Sequence, residues 1–249
     1  MECKNCGIGV QGNYCSECGQ QVITRRITLK TVVQELFAII TNVEKGFWYT
    51  AKMLFVAPAT VVCDYITGRT IRYYHPFRYL FWWVTISVAI NLSLGLYDRQ
   101  QTEIQSYIGG EESERALKMQ QDLQQEVKKY LTFIPLLLVP FASIGSYLLF
   151  KKKGYNYAEH MVLNAYIQGQ MAMIGIPLLL ISILIPTTML SFSLSIILSL
   201  FYGTFVFSRF FKTSVPVAFF KNLMTHLLAY SIVMILAGVV GVIWAIWNY

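Results

Sequence analysis

Long apolar stretches alternate with short charged segments along most of this chain. Beyond residue 76, five stretches are almost free of charged side chains, and each approaches or exceeds the ~20 residues that a helix needs to cross a bilayer. They cover residues 77–97, 131–150, 161–185, 189–208 and 223–247. The pattern predicts an all-α integral membrane protein with about five transmembrane helices.

The segment before these spans has an amphipathic pattern. Between residues 29 and 43 the apolar residues recur at helical spacing and leave one polar face. The predicted helix would lie either in the membrane surface or against the protein's own helices. Residues 47–67 are interrupted by Pro58 and followed by Gly68. They are too short to span, so we expect basal helices that are re-entrant or interfacial.

Charge is scarce and unevenly placed. Only 13% of the residues are charged, about half the share in soluble domains. Segments 1–78, 151–160 and 209–221 hold 15 basic and 6 acidic residues, whereas residues 98–130 hold 5 basic and 7 acidic. Because basic residues favour the cytoplasmic side, this predicts a cytoplasmic N-terminus, an outside C-terminus and an outside polar loop at 98–130. Topology and the lipid bilayer thus account for the net charge of +7, and no nucleic-acid partner is expected.

Two short cysteine motifs lie at the N-terminus. Cys3-x-x-Cys6-Gly7 is followed by Cys15-x-x-Cys18-Gly19, with eight residues between Cys6 and Cys15. Four thiolates on two tight turns are typical of a closed tetrahedral site, and one structural Zn²⁺ fits best, with iron as the alternative. A segment this short cannot build a core without its ion. The predicted organisation is a zinc ribbon at 1–20, a basic linker with basal helices at 21–76, and a membrane domain at 77–249.

Several polar residues lie in or near the predicted spans. His160, Asn164 and Gln168 follow one another at four-residue steps, on one helix face beside Glu159. Such residues are costly in lipid, so they form either a polar path with an acid–base or second metal cluster, or hydrogen bonds between helices. No known catalytic motif stands out, and no residue is assigned a catalytic role. The titratable candidates at the cytoplasmic helix ends are Asp64, His75, Glu159, His160 and His226.

Small residues recur at four-residue steps in the last two predicted spans. Faces of this kind let helix backbones approach closely in lipid. They could serve packing within one chain or assembly of a homo-oligomer. The residues are Ser191, Ser195, Ser199 and Gly203 in the fourth span, and Ala237, Gly241 and Ala245 in the fifth.

Further short motifs accompany the ribbon in the first 90 residues. They are Tyr14-Cys15-x-x-Cys18-Gly19-Gln20, Arg26-Ile27-Thr28, Gly46-Phe47-x-x-Thr50, Asp64-Tyr65-Ile66-x-Gly68-x-Thr70 and Tyr73-x-x-Pro76-Phe77, together with Leu54 and Pro58. In this combination the chain resembles an uncharacterised bacterial family of zinc-ribbon membrane proteins. It departs from that family mildly at Arg69-Thr70-Ile71-Arg72. The resemblance implies a bacterial inner-membrane protein with a cytoplasmic ribbon, and it implies no known activity.

These observations favour a non-enzymatic inner-membrane scaffold or adaptor. In this hypothesis the ribbon stabilises the cytoplasmic head and docks a protein partner. The first alternative is a channel, transporter or lipid-moving protein that uses the face of Asn164 and Gln168. The second alternative is a membrane metalloenzyme built on the titratable candidates named above.

Overall fold

The protein is seen here as a computed structural model, which describes residues 2–21, 28, 46–108, 114–130, 132–184 and 187–248. The predicted amphipathic helix at 29–43 lies outside the described residues. Helices dominate the rest, and a short 3₁₀ turn lies at Lys151–Lys153. The helices are α1 (Phe47–Val56), α2 (Pro58–Ile66), α3 (Pro76–Ser93), α4 (Leu96–Ile108), α5 (Glu114–Lys129), α6 (Phe133–Phe150), α7 (Tyr157–Ile181), α8 (Thr188–Phe210) and α9 (Val215–Asn248).

Four of these helices, α6 to α9, are long and apolar enough to cross a membrane. A fifth span is obtained if α3 and α4 count as one, although they meet at a bend of 68°. The predicted all-α membrane architecture is therefore confirmed, with four or five candidate spans. The first span differs from the continuous stretch predicted at 77–97, because α3 ends at Ser93 and Gly95 adopts a left-handed φ of 63°.

The last helix also starts earlier than its hydropathy predicted. α9 begins at Val215 rather than near residue 223, with Pro216 in its first turn, where a missing backbone N–H costs nothing. Its 34 residues extend about 51 Å. The N-terminal half packs on α6 and α8, whereas most side chains from Met234 to Trp247 are exposed.

The two short helices before α3 are part of the protein core. α1 and α2 pack against the bundle, with α2 in contact with α8 and α7. Leu54, Val61 and Val62 expose 1% or less of their surface. The largest apolar cluster unites these residues with Tyr166 and Phe207, so the core is centred at the end of the bundle that carries α1 and α2.

The polar segment 98–130 is helical at residues 98–108 and 114–129. α4 and α5 are joined through side chains, with Gln120 donating to Gln105 at 2.5 Å and Lys128 paired with Asp98 at 2.7 Å. Glu103 of α4 caps α8, because its carboxylate accepts the backbone N–H of Thr188 at 2.7 Å. The Glu103 side chain therefore fixes the N-terminus of α8 to α4.

Removing the Glu103 carboxylate is expected to loosen the start of α8. In Glu103→Ala the first-turn N–H of Thr188 and two threonine hydroxyls lose their shared acceptor. We expect faster hydrogen exchange in the first turn of α8, measured by mass spectrometry. Glu126→Ala is the control, since Glu126 lies on α5 and pairs there with the exposed Lys129. Equal exchange in both variants would contradict the capping role.

Candidate metal centre

The two cysteine motifs fold into matching knuckles. In the first, Cys3 N–H donates to Ile8 O and Gly7 N–H donates to Cys3 O, both at 2.8 Å. In the second, Cys15 and Gly19 repeat this pattern at 2.8 and 2.9 Å. The glycines adopt left-handed φ values of 81° and 69°, which residues with a side chain rarely adopt. The CxxCG spacing thus produces two equivalent turns that face each other.

The four sulfur atoms converge on one point. All of them lie within 4.8 Å of one another, and the pairs Cys3–Cys18 and Cys6–Cys15 are 3.5 Å apart. A disulfide would need about 2.0 Å. Sulfurs held tetrahedrally at about 2.3 Å from a metal ion would be about 3.8 Å apart, which matches the observed spread. The geometry therefore fits one four-coordinate metal ion with no position left for a substrate.

Hydrogen bonds to the sulfurs of Cys3 and Cys18 favour the thiolate form of these two residues. The backbone N–H of Cys6 lowers the pKa of the Cys3 thiol to about 6. For Cys18, the side chain of Asn5 and then the backbone N–H of Gln20 lower the pKa. Thiolates are the metal-binding form of cysteine, so these hydrogen bonds prepare Cys3 and Cys18 for a cation.

The ribbon is docked onto the turn between α2 and α3. Gln20 exposes only 2% of its surface and reaches across to this turn. Its amide nitrogen donates to Gly68 O at 2.7 Å and to the Thr70 hydroxyl at 3.1 Å, while its amide oxygen accepts from Ile71 N–H at 2.9 Å. Lys4 adds a bond to Thr67 O at 3.1 Å. The metal centre is consequently attached to the helical body by side chains as well as by the chain itself.

Asp64 supports the same turn. Its carboxylate pairs with Arg69 at 3.3 Å and accepts a hydrogen bond from the Tyr73 hydroxyl at 3.0 Å. Burial, followed by this hydrogen bond to Asp64, raises the pKa of Tyr73. Asp64 therefore shapes the surface on which Gln20 rests. Nearby, the ring of His75 lies edge-on to Tyr65, with centroids 5.9 Å apart.

A second polar cluster lies between α6 and α7. His160 Nδ1 is 2.9 Å from the Ser146 hydroxyl, and Asn164 Nδ2 donates to Ser146 at 3.0 Å and to Ser143 at 3.3 Å. His160 is fully buried, and its Nε2 has no hydrogen-bond partner among the described residues. Glu159 is adjacent to His160 in sequence, but its carboxylate caps α7. It accepts a hydrogen bond from the backbone N–H of Asn156 in the capping box of this helix.

Gln170 is the buried glutamine that sequence reasoning missed. It is fully buried, accepts a hydrogen bond from the Tyr79 hydroxyl at 2.5 Å and donates to Ala51 O at 3.4 Å. Gln168, which completed the four-residue stride, is only half-buried. The sequence signal that could have identified Gln170 is its position in the same apolar stretch, two residues beyond Gln168. Gln170 joins α7 to α3 and α1, so the polar residues of α7 serve two different interfaces.

His226 lies at a third place in the bundle. Its Nε2 is 3.2 Å from the Ser199 hydroxyl and its Nδ1 is 2.9 Å from Asn222 O. Ser199 and Gly203 of the serine stride therefore face α9, and a side chain at Gly203 would meet the Asn222 amide at 2.7 Å. The small residues Ala237, Gly241 and Ala245 instead lie in the outer half of α9, where the described helices contribute little packing.

The titratable candidates are engaged with different partners in different parts of the bundle. Within the described ranges, the four cysteines are the one group of three or more His, Cys, Asp or Glu that could hold a metal ion. Residues 44–88, which span α1, α2 and most of α3, match the model of a family described as "Protein of unknown function (DUF3667)". No curated protein and no solved structure matches the chain significantly. The match agrees with membership of an uncharacterised family and assigns no activity.

Proposed function

We propose that this protein is a non-enzymatic scaffold of the bacterial inner membrane. A structural zinc ion holds its cytoplasmic ribbon, and the ribbon docks a protein partner. The observation that carries the proposal is the attachment of the ribbon through Gln20, which makes the metal module a fixed part of the membrane body. A closed four-thiolate site has no open position for chemistry, so structural support is the role it fits.

Zinc is the ion that best suits this site. Four thiolates in a closed tetrahedron accept either zinc or iron, but a scaffold requires no redox chemistry. The two metals are distinguishable by elemental analysis and by colour, because iron–thiolate sites absorb visible light and zinc sites do not. About one zinc per chain would agree with the proposal. About one iron per chain would instead identify iron as the bound metal.

The exposed surface of the ribbon suits a protein partner. Tyr14 exposes 63% of its surface and Ile8 exposes 46%, although both are apolar and sit on a rigid knuckle. Exposed apolar and aromatic side chains on a fixed support are typical of binding surfaces. The transport alternative has less support, because Asn164 is tied to serines of α6 and Ser199 is tied to His226.

The partner proposal predicts that Tyr14→Ser and Ile8→Ser reduce capture of the partner while the metal content stays at one ion per chain. Each substitution removes apolar contact area and leaves all four ligands in place. The measurement is cross-linking in intact membranes, followed by affinity purification and quantitative mass spectrometry. Tyr107→Ser is the matched control, since Tyr107 is 75% exposed on α4, outside the ribbon.

The double variant Cys15→Ser and Cys18→Ser should lose both the metal and the partner while the helices still insert. A set of cross-linked proteins that is identical in the wild type, the ribbon variants and the control would contradict the adaptor role. If the double variant loses the metal but still binds the partner, partner binding does not depend on the metal site. In that case the docking surface would lie on the helical body.

A further inference from the structure

A basic corner forms where α6 meets α7 and α8 meets α9. Lys151, Lys152 and Lys153 make the turn after α6, Lys212 lies in the turn between α8 and α9, and Lys221 lies near the start of α9. The sequence from 209 to 221 contains no acidic residue. Glu159, the nearest carboxylate in sequence, is buried in the cap of α7 and does not line this corner. Segments 151–160 and 209–221 therefore contribute five lysines and no exposed carboxylate.

The corner contains a groove with a polar rim and an apolar wall. Its volume is about 760 Å³, and its lining is contributed by the end of α6, the lysine turn and Lys221. The apolar side includes Leu148, which exposes 59% of its surface. All residues that line the groove are Leu148, Leu149, Phe150, Lys151, Lys152, Lys153 and Lys221.

Two of the lysines are held in place by neighbouring groups. Lys221 Nζ donates to Leu149 O at 2.7 Å and lies 4.4 Å from the centre of the Phe150 ring. An ammonium group has three N–H donors, so this contact leaves donors for a ligand. Lys153 Nζ is 3.5 Å from Lys212 O. Because these contacts already restrict the two lysine side chains, binding a ligand would cost less side-chain entropy.

Lys212 adds an independent observation. Its φ of 47° makes it the one non-glycine residue with positive φ in the described part of the chain. This position follows α8, where glycine is the usual residue. A lysine here costs conformational energy, and strained residues of this kind cluster at functional sites.

We infer that the groove binds the phosphate headgroup of an anionic phospholipid, with an acyl chain along Leu148. The inference combines the concentrated positive charge, the apolar wall and the position at the ends of spanning helices, where headgroups lie. Basic pockets between transmembrane helices suit lipids with phosphate charges. A zwitterionic lipid such as phosphatidylcholine also carries a phosphate, but its own quaternary ammonium offsets that charge, so it would neutralise less of the lysine charge.

The test uses the full chain in nanodiscs of phosphatidylcholine containing a small fraction of phosphatidylglycerol. Lipids retained after mild detergent extraction are counted by native mass spectrometry. We expect enrichment of phosphatidylglycerol in the wild type and a roughly fivefold loss for each lysine replaced by glutamine, from about 1 kcal/mol per basic residue. The variants are Lys151→Gln, Lys152→Gln, Lys153→Gln and Lys221→Gln, and Lys118→Gln on α5 is the control.

Lys212→Gly separates lipid binding from folding. Glycine relieves the strained φ, so this variant should unfold at the same or a higher temperature while retaining less phosphatidylglycerol. Equal retention in the wild type, the lysine variants and Lys118→Gln would overturn the inference. Displacement of the lipid by inorganic phosphate alone, or preferential binding of polyglutamate over phosphatidylglycerol, would also overturn it. The first result would identify a free-anion site and the second a protein-binding site.

Discussion

Replacing Gly169 by alanine is expected to destabilise the protein by about 1–3 kcal/mol, because it overpacks the contact between α3 and α7. A Cβ atom at this position would lie 2.8 Å from Tyr79 Cδ1 and 3.0 Å from Leu80 Cα. The second contact is with backbone, which cannot rotate away. Tyr79 cannot move freely either, since it is fully buried and its hydroxyl is bonded to Gln170. The two helices would have to separate, and this pair makes the most extensive helix–helix contact in the bundle.

The measurement is the free energy of unfolding in SDS–detergent mixtures, followed by tryptophan fluorescence. Gly175→Ala is a matched control on the same helix, because a Cβ atom there would have no neighbour within 4 Å. Alanine is the better helix former, so Gly175→Ala should leave stability unchanged or raise it slightly. Gly169→Leu should prevent the native packing altogether. Similar stability for both alanine variants would show that α3 and α7 do not approach as closely as described.

The sequence predicted the features that depend on local patterns. Apolar length identified the candidate spans, and the spacing of the four cysteines identified the group that could hold a metal ion, because each signal lies within one short segment. The break at Gly95 was not predicted. Apolar residues continue past Ser93 to Tyr97, so hydropathy alone does not register the left-handed glycine that ends the helix.

Contacts between distant segments could not be derived in the same way. Gln168 and Gln170 lie in the same apolar stretch, and the four-residue periodicity selected Gln168, which is half-buried, rather than the fully buried Gln170. The deciding fact is the position of Tyr79, which lies 91 residues away in sequence. Gln20 presents the same problem, since its partners Gly68 and Ile71 belong to a turn beyond α2. The motifs that carry the family resemblance include Gln20 and Gly68, but they do not show that these two residues are in contact.

The second large effect is expected for Gln20→Ala, because Gln20 joins the ribbon to the turn between α2 and α3. The substitution leaves Ile71 N–H and Gly68 O without their partner in a contact where Gln20 is 2% exposed. Leaving buried polar groups unpaired costs about 1–3 kcal/mol, enough to release the ribbon from the body. The four ligands are untouched, so the metal content should remain one ion per chain. Hydrogen exchange at Ile71 measures the release directly, because its N–H is the bonded group.

Gln20→Glu tests the same contact without changing the size of the side chain. A carboxylate can still accept from Ile71 N–H, but it cannot donate to Gly68 O, which lies 2.7 Å from the present amide nitrogen. Two oxygen acceptors would then face each other, so this variant should release the ribbon at least as readily as alanine does. Gln21→Ala is the control, since the Gln21 side chain is exposed. Exchange at Ile71 that stays slow in both Gln20 variants would show that the ribbon is held elsewhere, and the rigid support proposed for Tyr14 and Ile8 would lose its basis.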